Sequence, residues 1–395
     1  MIEDRKNWAD RLSPGVNAIA PSGIRKFFDI AAQMDDVISL GVGEPDFITP
    51  WPIRESCVYG LEQGYTSYTA NRGLPELRQE ICNHYHTCYQ TDYDATTDVL
   101  VTVGVSEALD IAMRAILAPG DEVLIPEPCY VSYQACTILA GGIPVAVPAK
   151  IENEFRITPA ELEEHVTERT KVLLIGYPNN PTGAIMTRKD LLATADFAEK
   201  HDLIVISDEI YGDLTYGDEE HVCFSSLPHM QERTILLNGF SKAYAMTGWR
   251  IGYALGNPTL IAAMTKIHQY TMLCAPITAQ IAAVEALRHG EKYMKKMVSE
   301  YDRRRRLIYD GFIKMGLECF EPKGAFYIFP SISSTGYTSD EFAEELLKAE
   351  HVALVPGSAF GACGEGHVRC SYATSIDKIS EALNRIENFL KNHRK

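Results

Sequence analysis

The sequence has no paired-cysteine motif, no long apolar run and no secretion signal. Its ten cysteines are irregularly spaced and none forms a Cys-x-x-Cys pair, which argues against a disulfide framework and favours reduced thiols. No uninterrupted apolar stretch approaches the roughly 20 residues that a membrane-spanning helix needs. The first residues, Met-Ile-Glu-Asp-Arg-Lys-Asn, lack the apolar core of a signal peptide, so we expect a cytoplasmic protein.

Positive charge is also scarce. Lysine and arginine number 37 against 53 aspartates and glutamates, for a formal net charge of −16. Nucleic-acid binding needs a basic face and anionic membranes attract basic segments, so neither is an expected partner. Hydrophobic residues make up 46% of the 395, an ordinary share for a globular enzyme of two or three domains.

A loop between two apolar segments holds Lys242 and, eight residues later, Arg250. The flanking segments, 234–237 and 251–255, are short and β-rich, which predicts two buried strands. A lysine amine in a closed apolar site can lose its proton and form an imine, and the fork of an arginine suits a phosphate. The pair therefore indicates a pyridoxal phosphate (PLP) site, although a lone lysine on a loop is more often a solvated surface residue.

Strand and helix patterns alternate along the middle of the chain. The predicted strands are 99–103, 121–125, 143–147, 172–176 and 203–207, and the predicted helices are 108–117, 131–140 and 188–200. This order predicts an α/β fold with a mainly parallel central sheet and helices on both faces. A helix is also predicted at 24–34, a long helical region at 277–315, and after it a smaller α+β unit that includes helices 340–349 and 376–390.

Three of these segments call for a bound partner, two through a charged side chain and one through free backbone N–H groups. Asp208 ends an apolar strand, where a carboxylate is costly unless it is paired; a pyridinium nitrogen is one partner and a helix cap is the alternative. The glycine turn 104–107 leads into a helix whose free N–H groups suit a phosphate. Arg369 lies inside a strand pattern, where a permanent charge calls for an anion.

Two conspicuous clusters are interpreted without a ligand. Cys82, His84, His86 and Cys88 fall in one predicted helix, but His84 and Cys88 share one face and Cys82 and His86 another, so we predict no metal site. The four arginines at 303–306 are interpreted as a solvated or interface face of a helix.

Together these segments resemble the fold-type I PLP enzymes, specifically the class I aminotransferases of the aspartate/aromatic aminotransferase group. The resemblance spans Ser22 to Arg369 and favours the branch of aromatic or N-acetyl-LL-diaminopimelate aminotransferases. It is carried by ordered motifs at Gly43, Tyr68, Gly104, Asn180, Asp208, Lys242, Arg250 and Arg369. It implies a large PLP-binding domain at 45–285, and a small domain, formed by 1–44 and 286–395, that closes over the substrate.

The resemblance also implies roles around the cofactor ring. Lys242 would form the covalent link with PLP and then move the proton between the substrate Cα and the cofactor. Asp208 would pair with the pyridine nitrogen, and Tyr130 would stack on the ring face. Asn180 and Tyr211 would donate hydrogen bonds to the ring oxygen O3′. Lys242, Asp208 and Tyr211 are thus the expected catalytic residues.

For the phosphate, the resemblance implies Arg250 and the backbone amides of Val105 and Ser106. Tyr68 would reach the phosphate in the neighbouring subunit, which makes the expected active unit a homodimer. Many relatives place a phosphate-binding serine three residues before the lysine, where this chain has Gly239. One phosphate hydrogen bond is therefore expected to be missing or replaced by water.

For the substrate, the resemblance implies that Arg369 binds the α-carboxylate, helped by Asn180 and the backbone of Gly43. Segment 270–275 has no arginine for the side-chain carboxylate of aspartate, which leaves aromatic, apolar or diaminopimelate-like donors open. Arg72 is a candidate for a distal carboxylate across the dimer, with a solvated arginine as the alternative.

The implied activity is PLP-dependent transfer of an amino group from an L-amino acid to a 2-oxo acid such as 2-oxoglutarate. It would follow a ping-pong cycle through pyridoxamine phosphate. The alternative is a PLP-dependent carbon–sulfur β-lyase, which shares the fold and the lysine but needs no oxo-acid acceptor. A PLP-sensing regulator would carry a basic DNA-binding domain first, and only about 40 residues precede the first glycine motif.

Overall fold

The computed structural model describes residues 8–19, 34–218 and 220–393. The predicted helix at 24–34 falls outside these residues except for its last position, and so does much of segment 1–44. The described strands are β1 (Ile38–Ser39), β2 (Val99–Thr102), β3 (Glu122–Glu127), β4 (Ile143–Pro148), β5 (Thr170–Gly176), β6 (Ile204–Asp208), β7 (Thr234–Gly239), β8 (Gly252–Leu255), β9 (Tyr327–Ile328), β10 (Val352–Ala353), β11 (Val355–Pro356) and β12 (Val368–Ser371).

The described helices match most of the predicted ones. They are α1 (Pro14–Ala18), α2 (Trp51–Glu62), α3 (Pro75–Tyr89), α4 (Val105–Ile116), α5 (Ser132–Leu139), α6 (Pro159–Glu163), α7 (Arg188–Lys200), α8 (Pro258–Thr271), α9 (Ile277–His289), α10 (Glu291–Lys314), α11 (Ser339–Glu350) and α12 (Ile376–Asn392). The long helical region is divided at Gly290, which lies between α9 and α10.

The predicted start of the helix after β2 was wrong, and this boundary matters for the site. The sequence predicts a turn at 104–107, but α4 already begins at Val105, with Gly104 as its N-cap at φ 79°. A positive φ suits glycine because it has no Cβ. Val105 and Ser106 therefore lie in the first turn of the helix, where backbone N–H groups have no partner within the helix.

The main sheet has seven strands in the order β2-β8-β7-β6-β5-β3-β4. Its central pairs are parallel, and β8 runs antiparallel to both of its neighbours. This confirms the predicted mainly parallel sheet. In such a sheet the loops after the strand carboxyl ends form the usual ligand site.

Alternate residues of the central strands pack into different cores. On β3, Val123 and Ile125 belong to a cluster with helices α4 and α8, whereas Leu124 belongs to a cluster with α7. Val172 and Leu173 of β5 divide in the same way. Because both faces are covered, the strands are continuous apolar runs without polar alternation, and the site-bearing loops project from a rigid layer.

A second group of strands follows the long helices. Strands β11, β12 and β9 form a three-stranded antiparallel sheet, and β1 pairs with β10. Arg369 lies in β12, as the strand pattern predicted. No helix among the described residues is long and apolar enough to cross a membrane.

The interpretation of the arginine run was wrong for two of its members. Arg303 and Arg306 are exposed, but Arg304 and Arg305 are buried. Arg304 forms an ion pair with Asp46 at 2.8 Å, and Arg305 pairs with Glu321 at 2.6 Å. Consecutive helix residues point about 100° apart, so an unbroken run must place some charges inward, where they need carboxylate partners.

Candidate active site

A cavity of about 620 Å³ lies beyond the carboxyl ends of the parallel strands. The loops that follow β2, β3, β5, β6 and β7 all contribute to it, together with the segment after β1 and two residues of the second sheet group. All predicted cofactor or substrate residues except Tyr68 and the candidate Arg72 line it: Gly43, Val105, Ser106, Tyr130, Asn180, Asp208, Tyr211, Lys242, Arg250 and Arg369.

Lys242 is the nucleophile candidate, and its surroundings lower the pKa of its amine to about 8. Burial is the main cause; the carboxylate of Glu44 opposes it, while the cations Arg369 and Arg250 add to it. The Nζ atom donates a hydrogen bond to the backbone oxygen of Gly43 at 2.7 Å. A pKa near 8 leaves an appreciable neutral fraction at physiological pH, which an amine needs to attack a carbonyl.

Asp208 ends β6 and is buried at the floor of the cavity. The hydroxyl of Tyr133 donates to its Oδ2 at 2.9 Å, and the Ile210 amide donates to its Oδ1 at 3.2 Å. Burial raises the pKa of the carboxyl to about 6, while these two hydrogen bonds act in the opposite direction. The group is therefore mostly ionised at neutral pH, and a cationic ring nitrogen would relieve its burial.

Tyr133 was missed by the sequence analysis. It lies in α5, one helical turn after Tyr130, and the two rings form an edge-to-face pair with centroids 5.8 Å apart. The available signal was a second tyrosine three residues after the predicted stacking residue. Its significance depends on Asp208, which is 75 positions away in the chain.

The phosphate end is formed by the N-terminus of α4 and by Arg250. No side chain caps this helix, so the amides of Val105 and Ser106 begin an uncapped turn that also carries the positive end of the helix dipole. Arg250 has a left-handed backbone, φ 54°, and its Nη1 donates to the Thr247 oxygen at 2.9 Å. A guanidinium beside free amides suits a phosphate dianion.

The structure explains why position 239 is glycine. It is the last residue of β7, and it pairs with Gly252 of β8. A Cβ at this position would lie 2.9 Å from the Gly252 Cα and 3.0 Å from the Ile251 oxygen. Both neighbours are backbone atoms, so a serine would require the two strands to separate.

Arg369 reaches the cavity from β12 and is buried. Its Nη1 donates to Asn180 Oδ1 at 2.9 Å and its Nη2 donates to the Gly41 oxygen at 2.6 Å. Its Nε is buried and has no hydrogen-bond partner among the described residues. A buried cation with an unused donor fits an anionic ligand such as a carboxylate.

Aromatic residues surround this arginine. The guanidinium lies 4.5 Å from the centroid of the Tyr327 ring and 4.8 Å from that of Phe360. The Tyr327 hydroxyl is 2.8 Å from that of Tyr211. Tyr327 therefore contacts both Arg369, which is predicted to bind the substrate carboxylate, and Tyr211, which is predicted to bind the ring oxygen of PLP. None of the motifs that carry the family resemblance assigns a role to this tyrosine.

The remaining candidates lie away from the cavity of this chain. The side chain of Tyr68 is 82% exposed. Arg72 donates from Nη1 to the backbone oxygens of Thr96 and Thr97, at 2.9 and 2.7 Å. Two of its five N–H donors thus serve backbone acceptors. No cluster of three or more potential metal ligands occurs in the described part of the chain.

These donors match one type of ligand. The cavity combines an amine of lowered pKa, a buried carboxylate, an uncapped helix terminus beside an arginine, and a second arginine with an unused donor. PLP has an aldehyde, a basic ring nitrogen and a phosphate, and a substrate amino acid adds a carboxylate. The residues therefore fit PLP together with an amino acid.

Comparison with known proteins decides the family. A family model described as aminotransferase class I and II matches residues 35–386. The chain belongs to this family. Its cofactor is pyridoxal 5′-phosphate, and its reactants are amino acids and 2-oxo acids, as the resemblance implied.

Individual relatives cover almost the whole chain. The protein YugH of Bacillus subtilis strain 168 is 55% identical over 379 residues, covering 96% of this chain and 98% of that protein. It is named as an aminotransferase, and the name specifies no substrate. The aspartate aminotransferase of Pyrococcus abyssi is 49% identical over 382 residues, with coverage of 96% and 98%. The crystal structure of an aromatic aminotransferase from Pyrococcus horikoshii OT3 is 47% identical with a TM-score of 0.89, covering 92% of this chain and 98% of that chain. All three names describe aminotransferases, but they differ in the amino-acid donor that they specify.

Proposed function

We propose that this aminotransferase moves an amino group from an aromatic, apolar or diaminopimelate-like L-amino acid to 2-oxoglutarate or a similar 2-oxo acid. The two half-reactions would follow each other in a ping-pong cycle. The observation that supports this most directly is the convergence of Lys242, Asp208 and Arg369 on one cavity. They supply a nucleophilic amine, a counter-ion and a carboxylate ligand.

In this mechanism Lys242 would hold PLP covalently and, once the substrate amine has replaced it, its free amine would take the proton from the substrate Cα and pass it to the cofactor. Its pKa of about 8 suits both tasks, because a general base works best with a pKa near the operating pH. PLP, when bound, supplies the electron-withdrawing ring. Asp208 keeps the ring nitrogen protonated through an ion pair.

Other residues fix the position of the reactants. Arg369 holds the α-carboxylate and so orients the Cα–H bond toward Lys242. Because Asn180 Oδ1 already accepts from Arg369, its amide NH₂ is the group that donates to the ring oxygen, beside Tyr211. Tyr130 covers the ring face, and Val105, Ser106 and Arg250 hold the phosphate.

The lining of the cavity favours an aromatic or apolar donor over a diaminopimelate-like one, which carries a second carboxylate in its side chain. Of the arginines in the described residues, Arg250 and Arg369 line the cavity, and both already have assigned anions in this mechanism. A second carboxylate on the donor would meet Glu44 in the same cavity, and the second carboxylate of 2-oxoglutarate needs a cation from outside this lining, for which Arg72 across the dimer is the candidate. The names of the relatives include both aspartate and aromatic aminotransferases, so the donor needs a direct test.

The test is a spectral titration of the PLP-loaded enzyme with single amino acids, followed by 2-oxoglutarate. We expect phenylalanine, tyrosine or another apolar donor to bleach the lysine-linked chromophore stoichiometrically, and 2-oxoglutarate to restore it. Aspartate should be the weaker donor. Release of pyruvate and ammonia from a cystathionine-like amino acid, whose Cβ–S bond breaks to release a thiol, without any need for an oxo acid, would instead establish the carbon–sulfur lyase.

We also propose that the active unit is a homodimer in which Tyr68 completes the site of the neighbouring subunit. Other large apolar side chains are also exposed in this chain, among them Tyr270, which is 86% exposed, and Trp51 and Tyr59 of α2. Exposed large apolar side chains are typical of a protein interface when a partner covers them. A second copy of the chain would bury these residues and bring Tyr68 to a phosphate.

Subunit mixing tests the dimer. Tyr68→Ala and Lys242→Ala, each nearly inactive alone, are unfolded, mixed and refolded together. A mixed dimer then contains one site with both an intact Lys242 and a Tyr68 from its partner. We expect activity to recover toward one quarter of the wild-type value, as a random assortment gives. Recovery no greater than the sum of the two variants would contradict a shared site.

The division into a large domain, 45–285, and a small domain, 1–44 with 286–395, remains a proposal, as does the cytoplasmic location. The seven-stranded sheet lies within the first range, while Arg369 comes from the second. Closing the small domain would bring Arg369 onto the substrate and exclude water. A radius of gyration unchanged by a saturating substrate analogue in X-ray scattering would argue against this closure.

A further inference from the structure

We infer that Tyr327 is a positioning residue that fixes the direction of the Tyr211 hydroxyl, so that Tyr211 donates its proton into the cavity. This deepens the proposed function, because it rests on Tyr211 donating to the ring oxygen of PLP. The inference concerns two side chains 116 positions apart in the chain whose hydroxyl oxygens lie 2.8 Å apart.

Two phenols at this distance share one hydrogen bond, and only one of them can be its donor. If Tyr211 donates to Tyr327, it has no proton left for a ligand. If Tyr327 donates to Tyr211, the Tyr211 proton is free to point into the cavity. Among the described residues each hydroxyl has the other as its hydrogen-bond partner, so the direction of this one bond decides what Tyr211 can do.

The surroundings favour Tyr327 as the donor. The Arg369 guanidinium lies 4.5 Å from the centroid of the Tyr327 ring. Burial raises the pKa of both phenols and the positive charge of Arg369 opposes this at both, but the guanidinium lies directly against the Tyr327 ring and so polarises the Tyr327 O–H bond as a donor. Within a hydrogen-bonded pair of like groups the more acidic one is the better donor.

The backbone also holds the Tyr327 hydroxyl in place. A Cβ added at Gly43 would lie only 2.3 Å from this oxygen, so the absence of a side chain at position 43 is what admits the phenol. The same Gly43 accepts the hydrogen bond of Lys242. Tyr327 is thus held between the segment that contacts the reactive lysine and Tyr211, the proposed ligand of the cofactor oxygen.

The consequence is measurable on the Lys242-linked chromophore. A hydrogen bond from Tyr211 stabilises the anionic ring oxygen and so lowers the pKa of the chromophore. When Tyr327 donates to Tyr211, it polarises that phenol and strengthens the second bond. We expect Tyr327→Phe to raise the chromophore pKa by about 0.5 to 1 unit, the order of one hydrogen bond, measured by absorbance against pH.

The decisive control is the same substitution in a Tyr211→Phe background. Tyr211→Phe alone should raise the chromophore pKa by more than Tyr327→Phe does. Adding Tyr327→Phe to it should then change nothing further, because Tyr327 acts through Tyr211. An unchanged pKa in Tyr327→Phe, or an equal shift in both backgrounds, would overturn the inference.

Two further variants separate this role from a structural one. Tyr372→Phe removes another buried hydroxyl, one that donates to the Ala325 oxygen, and should leave the chromophore pKa unchanged. Tyr327→Phe keeps the ring against Arg369, so KM for the amino acid should stay within about twofold, whereas Tyr327→Leu removes that contact and should raise KM by about fivefold. Glu44, Asp208, Arg250 and Arg369, the charged neighbours in the cavity, are the same in all variants.

The outcomes also distinguish this inference from the proposed function. If the wild-type protein forms no lysine-linked chromophore with PLP, the proposed function fails. If the chromophore forms but Tyr211→Phe leaves its pKa unchanged, the assignment of Tyr211 to the ring oxygen fails, and the inference with it. If only Tyr327→Phe is without effect, the proposed function stands and the inference alone is wrong.

Discussion

Replacing Lys242 with alanine is expected to lower kcat for transamination by at least about 10⁴-fold. General acid–base catalysis by one positioned group contributes about 10²–10⁴, and removing a nucleophile that acts as part of a unit costs more. Lys242 is assigned both tasks. The variant should still bind PLP through the phosphate and ring contacts, but without the absorbance of the covalent link. Stopped-flow half-reactions and absorbance spectra measure the two effects.

The control for this substitution is Lys189→Ala, which removes an exposed lysine at the start of α7. It should leave kcat and the spectrum unchanged. In the wild-type apoprotein, the rate at which Lys242 captures the aldehyde should rise as the pH passes through about 8, because only the neutral amine attacks. Retention of more than a tenth of the activity in Lys242→Ala would exclude this lysine as the catalytic base.

The second large effect is expected for Asp208→Asn, with a loss in kcat of about 10²–10⁴. Removing one member of a buried ion pair costs about 3–5 kcal/mol, which corresponds to this range. An asparagine keeps the size of the side chain and can accept the hydrogen bond from the Tyr133 hydroxyl, but its NH₂ group then gives up the bond from the Ile210 amide. The loss would therefore report mainly the missing charge beside the ring nitrogen. Asp202→Asn is the matched control, because Asp202 is exposed.

The pH dependence of PLP binding provides an independent test of whether the ionised Asp208 carboxylate holds the cofactor. The pKa of Asp208 in the apoprotein is about 6, above the usual value of 3.8. As the pH falls through 6 the carboxyl takes up a proton and loses its ion pair with PLP, so the dissociation constant of PLP should rise. The Asn variant should lack this step. An identical pH profile in both proteins would contradict the assignment.

The stability of the apoprotein should depend on pH in the opposite direction to PLP binding, because ionised Asp208 weakens the fold while it strengthens PLP binding. A raised pKa means that burying the ionised carboxylate costs stability above pH 6, by about 2–3 kcal/mol for a shift of this size, and that the cost disappears at lower pH. Asp208→Asn removes this cost. We therefore expect its apoprotein to unfold at a temperature equal to or above that of wild type at pH 8. A purely structural role for Asp208 would lower it.

Local patterns in the sequence were sufficient for the fold and for most of the site. The apolar runs at β3, β5, β6 and β7 predict buried parallel strands because no polar alternation interrupts them. Charged residues at the ends or inside of such strands, Asp208 and Arg369, stand out because burial of a charge requires a partner. Helix α7 was predicted with its observed bounds, 188–200, from its apolar period.

The tertiary structure alone decided the contacts between distant segments. Tyr133 on Asp208, Tyr327 on Tyr211 and the inward-facing Arg304 and Arg305 depend on how separate elements pack, and single-segment patterns carry no signal of it. The lack of space for a side chain at position 239 likewise depends on the neighbouring strand β8. The sequence by itself determined which chemical groups are present and on which strand ends they lie, because periodicity and burial cost are local properties. Only the tertiary structure decided their partners, and through these partners the pKa values of Lys242 and Asp208, because desolvation and hydrogen bonding depend on everything that surrounds a group.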